Sequence, residues 1–300
     1  MVSLIVHGGA WSIPDSLLEA HRGGCSAAIG KGWGILSSGG TAIDAVEQAI
    51  RVMEADGTFD AGRGAHLNAD GHVELDASIM EGHSYRCGAV AAVRRVMHPI
   101  TLARTIMEES EHILLVGEGA ERFGVSAGIT LCKESDLVTE RERSLWKTVN
   151  ATIGYRSKQA FTKHPGDTVG AVAIDRAGNI CVGTSTGGTL NKYPGRVGDS
   201  PLIGCGSYAE NGIGGVSTTG WGEGMIKIVL AKTIIDHMGA NGKDPQKAAE
   251  YGIDILRNKV DGRGGVIILN HQGRVGYAFS TPRMAFAFMT DEMEAPRVEV

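Results

Sequence analysis

Short apolar runs, each stopped by glycine or a turn, recur from one end of this chain to the other and restrict it to a fold built on buried strands. Ser3-Leu4-Ile5-Val6-His7 runs into Gly8-Gly9, and Ala89-Val90-Ala91-Ala92-Val93 lies in a glycine-punctuated stretch from 58 to 94. Val169 to Ile174 and Ile180 to Gly183 flank Asp175-Arg176-Ala177-Gly178-Asn179, whose glycine and asparagine suit a hairpin turn. Val266-Ile267-Ile268-Leu269 and Val275-Gly276-Tyr277-Ala278-Phe279 form a further hairpin. The 44 glycines follow no collagen period, so they mark tight turns.

Helical periodicity separates these strands in both halves. Ile43, Val46, Ile50 and Met53 recur at three- and four-residue intervals, Thr41 and Asp44 have capping-box spacing, and the helix ends near Asp56-Gly57. Helices are also predicted over about 15–36, 102–109, 224–238 and 245–260, with His98-Pro99 punctuating before the second of these. Strands and helices mixed in both halves imply one layered α+β domain over residues 1–300. The only strong seam is the polar stretch 128–165, with Glu140-Arg141-Glu142-Arg143, one helix, and an end that reads as an exposed linker.

Charge and cysteine usage exclude several function classes. The net charge is -5 with both signs scattered, which argues against a nucleic-acid partner. The N-terminus lacks signal-peptide features and no apolar run reaches membrane-spanning length, so a soluble cytoplasmic protein without a membrane partner is expected. Cys25, Cys87, Cys132, Cys181 and Cys205 are an odd set without a Cys-x-x-Cys pair, as suits a reducing compartment. Zinc-ligand spacing and a phosphate-binding Gly-x-x-x-x-Gly-Lys are both absent, and no cofactor is expected.

Four segments carry hydroxyls or charges that chemistry can use. In Gly166-Asp167-Thr168-Val169 a threonine follows the polar seam and opens a strand. A cut before Thr168 would place a hydroxyl and an α-amine on one residue, and an amine with a pKa of about 7.7–8.0 serves as a base near neutrality. Taken alone, Thr168 is also an ordinary β-favouring residue at a strand start. Gly183-Thr184-Ser185-Thr186-Gly187 matches the Gly-x-Ser-x-Gly pattern of serine hydrolases, although a loop-like sequence follows where a nucleophile elbow needs a helix. Gly195-Arg196-Val197-Gly198-Asp199 sets a guanidinium and a carboxylate three residues apart, suited either to clamping a zwitterion or to a surface ion pair. Ser217-Thr218-Thr219-Gly220-Trp221-Gly222 precedes a helix and offers either oxyanion donors or helix caps.

In order, His7-Gly8-Gly9-Ala10, the turn from Asp60 to Gly64, Leu75-Asp76-Ala77-Ser78-Ile79-Met80 and these four segments closely resemble the plant-type asparaginase/isoaspartyl peptidase family. The match spans nearly the whole chain, and the spacings from Thr168 to Thr186, Arg196, Asp199 and Thr219 are similar to the family's. The resemblance implies a four-layer αββα sandwich of N-terminal-nucleophile hydrolases, cut between Asp167 and Thr168 into an α segment 1–167 and a β segment 168–300, in an (αβ)2 homodimer. It implies that Thr168 attacks, Thr186 steers it, Thr219 and the Gly220 N–H stabilise the oxyanion, and Arg196, Asp199 and Gly222 bind L-asparagine or β-aspartyl dipeptides. It also implies a structural sodium ion on the backbone carbonyls of Met53, Glu54, Asp56, Phe59, Ala61 and Arg63. Two departures stand out: Asp60 replaces the asparagine many relatives carry beside the nucleophile, and Asp167 replaces a glycine. An aspartylglucosaminidase-like amidase, a Taspase-like protease and a noncatalytic homologue remain as alternatives, and Trp221 is expected either to shape the leaving-group side or to pack inside.

Overall fold

The computed structural model describes residues 1–152, 154–155 and 168–300. One sheet takes β1 (Ser3–Trp11), β2 (Leu75–Glu81), β3 (Cys87–Val93), β4 (Leu114–Val116), β5 (Val169–Ile174), β6 (Ile180–Thr186), β11 (Arg283–Thr290) and β12 (Arg297–Glu299). Its order is β12-β11-β1-β5-β6-β2-β3-β4, antiparallel except where β4 joins β3. A second sheet orders β7 (Ser207–Glu210), β8 (Gly214–Gly220), β9 (Gly264–Asn270) and β10 (Val275–Phe279) as β10-β9-β8-β7.

The period of two along each strand decides what packs where. On β5, Val169, Ala171 and Ala173 join a core with Ala45, Ala49 and Met53 of helix α2 (Ala42–Asp56), while Val172 and Ile174 join a second core with Ile267 and Leu269 of β9. The first sheet is therefore covered on both faces, which is why its strands read as continuous apolar runs rather than as alternations. Helices α1 (Leu18–Ser37), α2 and α3 (Pro99–Glu109) pack on its outer face, and the second sheet lies against the inner one. Val266 and Ile268 of β9 turn away from that interface toward α8 (Leu230–Ala240) and α9 (Pro245–Val260). The described chain is thus a mixed helix-and-sheet fold, and among the described residues no helix is long and apolar enough to cross a membrane.

Several elements differ from their sequence reading for local reasons. Strand β1 does not stop at Gly8-Gly9, because a bulge between His7 and Ala10 absorbs the pair and pairing with β11 resumes to Trp11. The helix predicted over 224–238 is two, α7 (Gly222–Ile228) and α8, broken at Val229 in the left-handed region with φ 47°. The break lets Lys232 N–H donate to the Gly204 carbonyl at 2.8 Å, and Ala231 N–H to Cys205 at 3.3 Å, so the new helix start is satisfied by a neighbouring turn. Pro99 does not precede the helix expected at 102 but opens it, where its missing N–H costs nothing.

The polar seam is only partly a linker. It contains α5 (Glu134–Leu137) and α6 (Glu140–Asn150), the latter pinned by Trp146 Nε1 donating to the Asn68 carbonyl at 2.8 Å. Of the exposed end expected for this stretch, residues 156–165 fall outside the described residues, as does Asp167 after it. Helix α4 (Gly117–Ser126) and strands β4, β7, β8, β11 and β12 were not anticipated.

Candidate active site

Strands β5 and β6 run side by side from their hairpin, where Asp175 Oδ1 accepts from the N–H groups of Ala177 and Asn179 at 3.0 Å each. Their register places Val169 opposite Ser185, so the preceding Thr168 meets Thr186 at the rim of the sheet. Thr168 Oγ1 donates to Thr186 Oγ1 at 3.1 Å, and Thr186 Oγ1 accepts from Gly188 N–H at 2.9 Å. Thr168 is half-buried and borders a cleft also lined by Asp60, Thr186, Arg196, Asp199 and Gly220. Residues predicted from separate segments therefore converge on one concavity.

Arg196 and Asp199 are not a surface ion pair. Asp199 is 5% exposed, and its Oδ2 accepts from Thr218 Oγ1 at 2.9 Å. Burial pushes its carboxyl up to about 6, against the opposing pull of the Thr218 hydroxyl and the Arg196 charge. Arg196 instead forks onto Glu223, with Nε donating to Oε1 and Nη2 to Oε2, both at 2.9 Å. Glu223 aims the guanidinium, a role the sequence reading missed because 27 residues of chain separate the partners. The only local signal was its place as the acidic residue in the first turn of α7.

Thr219 and Gly220, the residues expected to meet an oxyanion, lie where β8 ends. Thr219 is fully buried and its Oγ1 has no hydrogen-bond partner among the described residues, an arrangement that costs stability unless a ligand supplies the bond. Helix capping does not account for these hydroxyls, since α7 is capped by Trp221 without a side-chain bond. A Cβ on Gly222 would stand 2.6 Å from Asp199 Oδ1, so only glycine lets the start of α7 approach that carboxylate. Trp221 packs its ring near Gly224, with the Lys227 ammonium 5.6 Å from the ring centre.

Two other candidates have structural duties. Ser185 is fully buried in the middle of the sheet and donates to Glu54 Oε1 at 2.7 Å, which overturns the nucleophile-elbow reading. Ser185→Ala is expected to leave self-cleavage and turnover intact while lowering stability by about 1–3 kcal/mol, through the lost bond to a buried carboxyl. Thermal denaturation and an activity assay on the same preparation check this, and loss of turnover without loss of stability would revive the serine. His7 is fully buried, with Nε2 2.9 Å from Ser217 Oγ, and burial lowers its pKa to about 3, so it is a neutral strut.

The segment marked for sodium would bind through backbone carbonyls, since the Glu54 carboxyl accepts from Ser185 and Ile100 and the Asp56 carboxyl from Thr58. Met53, Glu54 and Asp56 lie in the last turn of α2, where carbonyls have no partner within the helix. The Glu54 carbonyl accepts from Arg63 N–H at 2.7 Å, and the carbonyls of Gly57 and Phe59 converge on Gly64. Carbonyl oxygens at the negative end of a helix suit a hard monovalent cation. Among the described residues no group of three or more His, Cys, Asp and Glu side chains is placed to hold a metal.

A threonine at a strand start, opposite a second threonine and sharing a cleft with Arg196 and Asp199, defines the kind of site. The sequence profile of the asparaginase family matches residues 1–298, and the chain belongs to that family. It is 44% identical over 289 residues to the isoaspartyl peptidase/L-asparaginase of Xenopus laevis, covering 96% of this chain and 92% of the relative. The protein of the same name from Danio rerio is 43% identical over 284 residues, covering 95% and 91%. That of Rattus norvegicus is 44% identical over 271 residues, covering 90% and 80%.

Proposed function

We propose that this chain is an isoaspartyl peptidase/L-asparaginase that frees Thr168 by cutting itself and hydrolyses the side-chain amide of L-asparagine and of β-aspartyl dipeptides. The observation that carries the reading is the Thr168–Thr186 hydroxyl contact at 3.1 Å in the cleft shared with Arg196 and Asp199. The relatives' names support the same activity.

In this scheme the freed α-amine of Thr168 takes the proton from its own Oγ1 as that oxygen attacks the amide carbon, and Thr186 Oγ1 fixes the hydroxyl's direction. The negative charge passing to the carbonyl oxygen is met by the Thr219 hydroxyl and the Gly220 N–H. The proton held by the amine moves to the leaving nitrogen, which departs as ammonia or as an amino acid and leaves an aspartyl ester on Thr168. Water then hydrolyses the ester and releases L-aspartate. Arg196 holds the substrate α-carboxylate and Asp199, beside Gly222, its α-ammonium; both are features of the aspartyl moiety that the two substrates share.

The packing of helices outside two facing sheets supports a four-layer αββα sandwich, with segments 1–167 and 168–300 staying associated as one unit. A cytoplasmic (αβ)2 homodimer belongs to the same proposal. So does a structural sodium ion on carbonyls between Met53 and Arg63, which supplies charge to that loop and takes no part in the reaction.

Denaturing mass spectrometry of purified protein is expected to give two fragments, ending at Asp167 and beginning at Thr168, with ammonia released from L-asparagine and leucine from β-aspartyl-leucine. Fragments without either product would identify a noncatalytic homologue, and cleavage of glycosylated asparagine alone would identify the aspartylglucosaminidase alternative.

A further inference from the structure

The segment that carries Arg196 and Asp199 is fastened to one face of a single strand. In β2, Leu75, Ala77 and Ile79 join the core under the helices, while Met80 joins the core between the sheets. The alternation puts Asp76 and Ser78 on the face toward the second sheet, and Glu74 continues their row just before the strand. Glu74, Asp76 and Ser78 are 9%, 0% and 0% exposed.

This row meets the clamp segment at both of its ends. The two oxygens of the Glu74 carboxyl share the Gly195 N–H at 3.0 Å each, one residue before Arg196. Ser78 Oγ donates to the Ser200 carbonyl at 2.6 Å, one residue after Asp199, and Thr184 Oγ1 donates to the same oxygen at 2.9 Å. Between them Asp76 Oδ1 accepts from Ala92 N–H at 2.9 Å. Burial raises the Asp76 carboxyl, against the pull of the Lys192 charge, the Ala92 N–H, the Arg196 charge and the Gly198 N–H. Lys192 Nζ donates to the Glu74 carbonyl at 2.9 Å, which ties down the leg of chain leading to Gly195.

Polar side chains on a buried sheet face cost stability unless their bonds are made, and the bonds of Glu74 and Ser78 go to the backbone of the clamp segment. Arg196 and Asp199 must stand at a fixed separation to grip the carboxylate and the ammonium of one aspartyl group, and both line the cleft. Glycines at 195 and 198 on either side of Arg196 give the segment little stiffness of its own. A strand held in a sheet supplies it.

Building on the clamp assigned under the hydrolase reading, we infer that Glu74 and Ser78 are positioning residues for substrate recognition. Glu74 sets the carboxylate end of the clamp through Gly195, and Ser78 sets the ammonium end through Ser200.

The test uses E74A, E74Q and S78A, each verified by mass spectrometry as cut before Thr168. Leucine release from β-aspartyl-leucine gives kcat and KM. Two competitors report the ends of the clamp separately: succinamate, which lacks the α-ammonium, and L-asparaginamide, which lacks the α-carboxylate. E74A is expected to raise KM and the inhibition constant of succinamate by about tenfold, with kcat and the inhibition constant of L-asparaginamide little changed. E74Q keeps an oxygen for Gly195 and is expected to restore both constants. S78A is expected to act on the other end, raising KM and the inhibition constant of L-asparaginamide by about threefold and leaving succinamate unmoved, since Thr184 still holds the Ser200 carbonyl. If E74A does not fold or is not cut, E74D, shorter by one methylene, carries the same comparison. An unchanged KM in the Glu74 variant, or equal losses against both competitors, would overturn the inference. Absence of leucine release by the unaltered protein would instead sink the hydrolase reading, and unaltered protein that binds both competitors as tightly as the substrate would sink the clamp itself.

Discussion

Thr168→Ala is expected to yield one uncut chain that releases neither ammonia from L-asparagine nor leucine from β-aspartyl-leucine. The substitution removes the single oxygen that both steps use, the cut that frees the amine and the attack on substrate. The loss of turnover is expected on the order of a millionfold, the scale on which deleting a covalent nucleophile acts. The fold should survive it. Thr168 is half-buried, alanine keeps its Cβ, and the one lost bond is that to Thr186 Oγ1, a change of about 0.5–1.5 kcal/mol. Thr168→Ser restores the hydroxyl without the methyl group that restricts its rotamers, and should both cut and turn over, more slowly than the unaltered protein. Fragment masses and product release measured on the same samples decide the matter. An uncut Thr168→Ala chain with full activity would eliminate the threonine as nucleophile.

The legibility of this molecule varied with the range of the interactions involved. Helix α2 was readable to its ends because periodicity, the Thr41 cap and the Gly57 stop all lie within its own sequence. The β5–β6 hairpin was readable because Asp175, Gly178 and Asn179 make the turn locally. The break at Val229 was not, since it depends on carbonyls of Gly204 and Cys205 supplied by a distant turn. The same division runs through the site. Thr168, Arg196 and Asp199 came from ordered segments whose spacing resembles a family, while Glu223 and Thr218, which orient the clamp, are defined only by contacts across the fold. Ser185 shows the reverse case: its motif matched a serine hydrolase, the loop-like sequence after it argued against an elbow, and its hydroxyl is spent in mid-sheet on Glu54.

Binding of substrate should weaken as pH falls through about 6, the value to which burial raises the Asp199 carboxyl. In the proposed clamp only the ionised carboxylate can pair with the substrate α-ammonium. Above pH 6 that form dominates and KM is flat. Below it, each pH unit removes roughly tenfold of the competent form, so KM should climb with a break near pH 6, distinct from the fall in kcat that begins as the Thr168 amine, with an ordinary pKa of about 7.7–8.0, takes up a proton. Asp199→Asn should abolish this dependence and cost about 2–5 kcal/mol of binding at pH 8, as removing one partner of a buried charge pair does. Stability is expected to move the opposite way. Because the folded carboxyl titrates near 6 rather than 3.8, the native state binds more protons between those values. The stability contributed by its protonation is therefore complete below 3.8 and lost as pH rises through about 6, a change of about 3 kcal/mol. Asp199→Asn should thus melt higher than the unaltered protein at pH 8 and similarly at pH 4, with a neutral amide in place of the buried anion. Substrate present in excess should narrow the gap at pH 8, since its ammonium provides the charge that the empty clamp lacks. KM profiles and thermal midpoints across pH 4–8 test both halves together: a flat KM with an unshifted midpoint would show that Asp199 does not bind the ammonium group.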